Sequence, residues 1–258
     1  MTMRLAFFAL VASITFLSMS AISDAATSIG KVVAVIGAPS ASGPGGDRKL
    51  KAGSAVFEDD KITVQSGNAQ IILNDNTRLV VGPGSTLVLD RFLMKGGDTA
   101  QKVSIKALRG TFRFITGRSA KRVYDIQTAS ATIGIRGTGF DCWVRGQTGC
   151  AVLQGDVKLC NKSQGGAKCV NLEDDCEVGR AGGGSAVELG LGPAGRNIVQ
   201  NLPYLLSQSS LRPQFRLDIG QCRSALTAAK FGSLNDGSKQ EWPNNEDRKR
   251  VDTCGGDC

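Results

Sequence analysis

The side chains best suited to catalysis are two carboxylate clusters, Asp59-Asp60 and Glu173-Asp174-Asp175. Paired carboxylates can supply the acid and the base of glycoside hydrolysis. Each cluster lies in a polar turn segment, however, and nothing in the sequence places a second group opposite it. The chain has no histidine, which excludes a Ser-His-Asp triad, a Cys-His dyad and a His-ligated zinc site. The sequence therefore favours a non-catalytic protein, and a hydrolase of envelope polymers is the weakest alternative.

The chain has eight cysteines, and their spacing predicts disulfides. No pair has the C-x-x-C spacing of a redox motif, and no metal or other cofactor is expected. Local pairing is favoured where two cysteines flank a hairpin loop, as Cys142 and Cys150 do and as Cys160 and Cys169 do. The full connectivity stays open. The candidates are Cys142, Cys150, Cys160, Cys169, Cys176, Cys222, Cys254 and Cys258.

Basic residues outnumber acidic ones by 31 to 23, a net charge of +8 that favours anionic partners. Aromatic residues make up 5% of the chain, too few for extended stacking on bases, so no nucleic-acid partner is expected. Residues 99–124 contain seven basic residues and no acid. They form either a patch for an anionic polymer or an acidic protein loop, or a solvated sheet face, which the sequence favours. The candidate patch is Arg109, Arg113, Arg118, Lys121 and Arg122.

The first 25 residues have the pattern of a signal peptide. Arg4 precedes an apolar run that ends near Met19, and small residues lead to a cleavage site after Ala25. We expect a periplasmic or secreted protein, attached to a membrane only if this leader stays uncleaved.

Short segments rich in Val, Ile and Thr, separated by turn residues, extend from 28 to 189. They recur every 8 to 9 residues over the first part of this range, and no helical period accompanies them. This spacing predicts a mainly β domain built as a β-solenoid, a sandwich or a barrel. The turns between later segments, including those near Gly110 and Gly155, are expected to centre on glycine.

A different composition begins near residue 190 and continues to 258. Apolar residues at helical spacing predict a short helix that Pro203 offsets or starts, and a second helix over 222–231. This extension is too small for a core of its own, so we expect it to dock on the β domain. The predicted stripe of the first helix consists of Ile198, Val199, Leu202, Leu205 and Leu206.

The segment IGIRGTGF at 133–140, followed by GCAVLQGDVKL at 149–159, resembles the FecR domain. That family has a strand, an R-G-T-x-F turn and a later glycine-containing hairpin. Segments opening at Gly30, Leu50, Asp60 and Ala69 also resemble it, so the likeness covers roughly 28–180. The matching positions are Gly134, Arg136, Gly137, Thr138, Phe140, Gly155 and Val157.

The same residues predict a structural corner without reference to the family. Three glycines between Gly134 and Gly139 permit a sharp bend, after which the chain resumes as a strand. We expect Thr138 to hydrogen-bond within the turn and Phe140 to enter the core. A phosphate-binding loop is disfavoured, because no helix pattern or G-K-[ST] follows.

The resemblance implies a binding or sensory module rather than an enzyme. Family members that regulate iron uptake combine a cytoplasmic sigma-binding segment, a membrane span and a periplasmic domain. Here only a few residues precede the apolar run, so we expect an exported, stand-alone module with no direct sigma-factor contact. It would bind an envelope protein or an anionic polymer. The alternative is a structural envelope protein hardened by disulfides.

Overall fold

The structure is a computed structural model and describes residues 26–162, 166–173 and 176–224. The described residues form 15 strands in one mixed sheet, followed by short helices. The first eight strands are β1 (Ser28–Ile36), β2 (Ser40–Ser42), β3 (Arg48–Lys49), β4 (Ala55–Phe57), β5 (Lys61–Val64), β6 (Asn68–Leu73), β7 (Arg78–Val81) and β8 (Ser85–Gly96). The others are β9 (Thr99–Ile115), β10 (Tyr124–Thr128), β11 (Ala131–Arg145), β12 (Gln147–Asn161), β13 (Cys169–Leu172), β14 (Val178–Gly182) and β15 (Ser185–Glu188). The helices are α1 (Pro193–Gln200) and α2 (Pro203–Leu206), with 3-10 turns at Lys121–Val123 and Pro213–Phe215.

The predicted fold class is confirmed: the chain is mainly β with a small helical C-terminal part. The early strands are short because turn residues interrupt them. Gly67 and Asn76, for example, both adopt positive φ, at 79° and 66°. Such residues let adjacent antiparallel strands reverse tightly.

The prediction of glycine turns near Gly110 and Gly155 is wrong. Strand β9 runs through Gly110 and β12 runs through Gly155 without a break. Both glycines have positive φ, 88° and 68°, and bend a continuous strand instead of ending it. The regular spacing of short segments therefore does not persist into the second half of the sheet.

The bend in β9 lets one strand belong to two parts of the sheet. Its first half pairs with β8 and, in parallel, with β10. Its second half pairs antiparallel with β7 and β11. One apolar cluster extends from Val32 in β1 to Ala181 in β14, so the bent sheet encloses a continuous core. Phe140 is fully buried there, as expected, with its ring centroid 5.5 Å from that of Phe114.

The C-terminal segment packs on the other face of the sheet. Ile198 and Val199 of α1 join a second apolar cluster with Ala151 and Leu153 of β12. This contact agrees with the expected docking, and α2 begins at Pro203. Leu206 is an exception to the predicted stripe, since it is 49% exposed. The second predicted helix begins at 220, and its residues beyond 224 lie outside the described range.

Three disulfides join described cysteines. Cys142–Cys150 and Cys160–Cys169 are the two local pairs predicted from the sequence. Cys176–Cys222 links the β domain to the C-terminal segment. Cys254, Cys258 and the predicted leader at 1–25 lie outside the described residues. No helix in the described ranges is long and apolar enough to cross a membrane.

Candidate functional site

The glycine-rich motif at 134–140 forms an irregular bend inside β11. The register of β11 against β12 shifts between Arg136 and Phe140. Gly137 has a φ of 76°, and a Cβ on Gly155 would lie 2.2 Å from the Gly137 carbonyl oxygen. The two glycines thus permit a backbone approach that side chains would block. The bend redirects β11 from β10 to the second half of β9.

Around this bend Val157 is buried opposite Ile135, while Arg136 lies exposed opposite Asp156. The expected hydrogen bond from the Thr138 hydroxyl is absent among the described residues, where this buried oxygen has no partner. The Thr138 carbonyl instead accepts from the Thr116 amide at 3.0 Å. The motif therefore organises the backbone of β11.

The five candidate basic residues do not form one surface. Arg118 follows β9 and pairs with Asp98, and the next residue, Ser119, accepts from the Ala100 amide at 2.7 Å. Lys121 and Arg122 lie exposed in the nearby 3-10 turn. Arg109 lies toward the other end of the first half of β9, opposite Thr86.

Several basic residues of the 99–124 segment face aspartates that the segment itself lacks. The ion pairs are Lys102–Asp125, Lys106–Asp90, Arg113–Asp141 and Arg118–Asp98. Arg109 has no such carboxylate among the described residues; its Nε donates to the Thr86 hydroxyl at 3.2 Å. Arg109 is therefore an unneutralised cation on an otherwise balanced strand.

Strands β9 and β11 place three cross-strand pairs on the face that meets the C-terminal segment. Arg113 lies opposite Asp141 (the inner pair), and Thr111 lies opposite Trp143 (the middle pair). Arg109 and Arg145 come next, beyond the last paired positions (the outer pair). Thr111, Trp143, Arg109 and Arg145 all line one cleft, whereas Arg113 and Asp141 are covered by the C-terminal segment. Phe112 and Cys142, between them, face the main core.

The inner pair is fully covered, which corrects the expectation that Arg113 belongs to a surface patch. Its side chain is 0% exposed. Arg113 Nε and Nη2 donate to Asp141 Oδ1 and Oδ2 at 2.6 and 2.8 Å, and Nη1 donates to the Phe215 carbonyl at 3.1 Å and to the Gln208 side chain. The Tyr204 ring centroid lies 5.6 Å from the guanidinium carbon. Burial raises the pKa of Asp141, and the charge of Arg113 opposes that rise.

The middle pair carries two buried polar atoms without partners. Neither Thr111 Oγ1 nor Trp143 Nε1 is hydrogen-bonded within the described part of the chain. The indole packs on Gly149 of β12, where a Cβ would lie 2.8 Å from it. Because an unpaired buried donor costs free energy, these atoms gain from a ligand or solvent that bonds them.

The outer pair opens into a cleft of about 520 Å³ between the sheet and α1, which we call the basic cleft. Gly84 and Gly110 are among its lining residues, and so are Asn197 of α1 and Asn201, which caps the end of that helix. No carboxylate occurs among its described lining residues. These are Pro83, Gly84, Arg109, Gly110, Thr111, Trp143, Val144, Arg145, Asn197 and Asn201.

Most residues of the basic cleft were missed from the sequence. Arg109 was identified, but Arg145, Trp143 and the two asparagines were not. A signal was present: Trp143 and Arg145 alternate along a strand, as Arg109 and Thr111 do. The contribution of α1 could not be found this way, because it depends on where the helix docks.

The carboxylates considered for catalysis do not assemble. Asp60 is 0% exposed and binds Arg48, and its Oδ2 also accepts from the Phe57 amide at 2.8 Å. Asp59 is exposed in the same turn. Glu173 lies on a distant loop beside Glu177, whose carboxylate accepts from the Glu173 amide. Asp174 and Asp175 lie outside the described residues.

The R-G-T-x-F bend and the later glycine bulge lie within one bent β-sheet. Residues 59–158 match the family profile described as FecR protein. The predicted resemblance is confirmed over that range, and the chain contains a FecR region.

Solved structures give a weaker similarity. Two crystal structures of a proposed anti-sigma factor from Parabacteroides distasonis ATCC 8503 are 17% and 16% identical, with TM-scores of 0.40 and 0.37. Each alignment covers 50% of this chain and 59% of the other, so this chain spans little more than half the length of those proteins. A comparison with curated proteins found no match.

Proposed function

We propose that this protein is an exported, non-catalytic recognition module of FecR type that binds an envelope partner through the basic cleft. Two lines support the exported location. The sequence begins with a leader pattern, and six described cysteines are joined in disulfides, which persist in oxidising compartments.

The observation that carries the proposal is the unneutralised outer pair. The other cations of β9 each pair with an aspartate. Arg109 and Arg145 do not, within the described residues, and both are exposed beside the cleft. A fixed concentration of positive charge at an open cleft is typical of a binding site for an anionic group.

Disulfides also hold the walls of the cleft in place. Its sheet wall includes residues of β9 and of β11, and β11 is joined to β12 by Cys142–Cys150. Its helix wall follows β15 and is tied back by Cys176–Cys222. Rigid walls keep recognition groups in place before the partner arrives, which lowers the entropy cost of binding.

Site-specific photo-crosslinking in intact cells tests the proposal. A photoreactive residue at Asn197 reports on the basic cleft, and one at the exposed Lys95 in β8 is the control. We expect a specific envelope species captured from Asn197 and not from Lys95, and lost when Arg109 and Arg145 are both replaced by Ser. Equal capture from both positions, or capture of self-contacts alone, would favour a purely structural role.

A further inference from the structure

We propose that the ligand of the basic cleft is a carboxylate-bearing oligosaccharide, a segment of an acidic envelope polysaccharide. This inference rests on the proposed function and narrows it to one class of ligand. It follows from three properties of the lining: its charge, its neutral hydrogen-bonding groups, and its size.

The charge requires an anion that two guanidinium groups can share. A guanidinium presents paired N–H donors whose spacing matches the two oxygens of a carboxylate. Arg109 uses Nε on Thr86, which leaves its terminal nitrogens without a partner among the described residues. The guanidinium group of Arg145 has no hydrogen bond or ion pair in the part of the chain described here. Two such groups on adjacent strands can bind one carboxylate together or two in succession.

The neutral groups fit a polyhydroxylated molecule. A sugar hydroxyl both donates and accepts, and the carboxamides of Asn197 and Asn201 do the same. The Asn201 amide nitrogen donates to the Asn197 carbonyl at 2.7 Å, which holds that side chain at the end of α1. Thr111 and Trp143 also line the cleft, and the Thr111 hydroxyl and the Trp143 indole N–H are buried without a partner in the described part of the chain. Simple inorganic anions would leave most of these groups unused.

Size and polarity separate a saccharide from a protein partner. The cleft of about 520 Å³ falls within the range of small-ligand sites, about 300–1,000 Å³. A stable protein interface needs about 800 Å² on each side with an apolar centre. The described lining has Val144 and Pro83 as its aliphatic residues and is otherwise glycine, polar or aromatic. An added Cβ on Gly84 would meet nothing within 4 Å, so the space beside this glycine has room for a sugar ring.

Calorimetric titration of the oxidised protein with trigalacturonate tests the inference, with neutral galactotriose as the matched probe. We expect trigalacturonate to bind at least about tenfold tighter than galactotriose, because charge-assisted hydrogen bonds are the stronger contacts. Arg109→Ser/Arg145→Ser should lose that preference. Lys121→Ser/Arg122→Ser removes the same charge elsewhere on the protein and should leave it within about twofold. Equal effects of the two double variants would overturn the inference, since they would indicate non-specific attraction.

A second variant tests the helix wall. Asn197→Asp keeps the shape of the side chain and adds a negative charge to the cleft. We expect it to weaken trigalacturonate binding by about tenfold and galactotriose binding by much less, since like charges repel across the site and the neutral sugar loses only one donor. Inorganic phosphate is the third probe, and if it bound as tightly as trigalacturonate, the saccharide assignment would be wrong.

These outcomes separate the inference from the proposed function. If Asn197 crosslinks a specific envelope species that depends on the two arginines, but trigalacturonate does not bind, the module stands and the saccharide assignment fails. If trigalacturonate binds as expected and crosslinking finds only self-contacts, the proposed envelope partner fails instead.

Discussion

The inner and outer pairs of β9 and β11 place the same residue type in opposite environments. Arg113 and Arg109 lie four residues apart on one strand. Arg113 faces Asp141 and is covered by the segment that contains Tyr204 and Phe215. Arg109 lines the basic cleft together with Arg145 and is open to solvent. One basic residue of β9 is thus part of the protein's interior, while another is available for binding.

The difference shows that the number of basic residues does not identify a binding surface. The residue across the strand decides whether a cation is neutralised, and the docked segment decides whether it is covered. Burying an arginine without a carboxylate would be very costly, whereas leaving one exposed costs little. The charge that remains free at Arg109 and Arg145 is therefore the informative one.

The largest expected effect comes from removing the buried guanidinium. Arg113→Met leaves Asp141 buried without its partner and should lower the free energy of unfolding by about 3–5 kcal/mol. Arg109→Met, the matched exposed change, should alter it by no more than about 0.5 kcal/mol. Urea denaturation measures both, and similar values for the two variants would contradict the assigned environments.

A double variant sharpens this test. Arg113→Met/Asp141→Leu removes both charges and should recover most of the loss, because the cost comes from the unpaired carboxylate. If the double variant is as unstable as Arg113→Met alone, lost packing rather than charge holds the inner pair.

An intermediate effect on the free energy of unfolding is expected at two glycines that line the basic cleft. Gly110 and Gly84 both have positive φ, 88° and 69°. A Cβ on Gly110 would lie 2.4 Å from Ser85 Cα, but one on Gly84 would meet nothing within 4 Å. Gly84→Ala should cost about 1–2 kcal/mol from backbone strain, and Gly110→Ala about 2–5 kcal/mol because overpacking adds to it. Thermal or urea unfolding measures the order, and a reversed order would show that β9 is bent differently.

The smallest effect concerns a third environment on β9, a paired but exposed cation. The Lys106 ammonium donates to Asp90 and lowers the pKa of that carboxyl, and the Ser104 hydroxyl donates to it at 2.8 Å. Because the folded-state pKa is lowered, the stabilisation is present above the unfolded pKa of about 3.9 and is lost as pH falls through the folded value. Its size should stay under about 1 kcal/mol.

The measurement is the free energy of unfolding against pH for the parent protein and for Lys106→Gln. The parent should be slightly more stable near pH 6, and the difference should vanish once Asp90 is protonated. A difference that is constant across this range would mean that the pair contributes nothing through titration.

The sequence predicted local features well, but it did not show which residues are covered by distant segments of the chain. The mainly β class, the two hairpin disulfides and the burial of Phe140 follow from alternation, spacing and side-chain type. Glycine occurs in turns and in bulges alike, so the sequence alone predicts turns at Gly110 and Gly155. Arg113 was placed on the surface because β9 alone shows neither Asp141 across the strand nor Phe215 above it. The basic cleft combines residues from three distant segments, and only the fold brings them together.

The Cys176–Cys222 crosslink has a consequence for when the protein can work. It closes a span of 46 residues that contains both short helices, and a loop of this length stabilises the folded form by about 4 kcal/mol through chain entropy. In the reduced chain this segment is held by its apolar contacts and by the hydrogen bonds from Arg113 to Gln208 and Phe215, without the crosslink. Under the proposed function, oxidation therefore steadies one wall of the basic cleft, and maturation of that wall depends on an oxidising compartment.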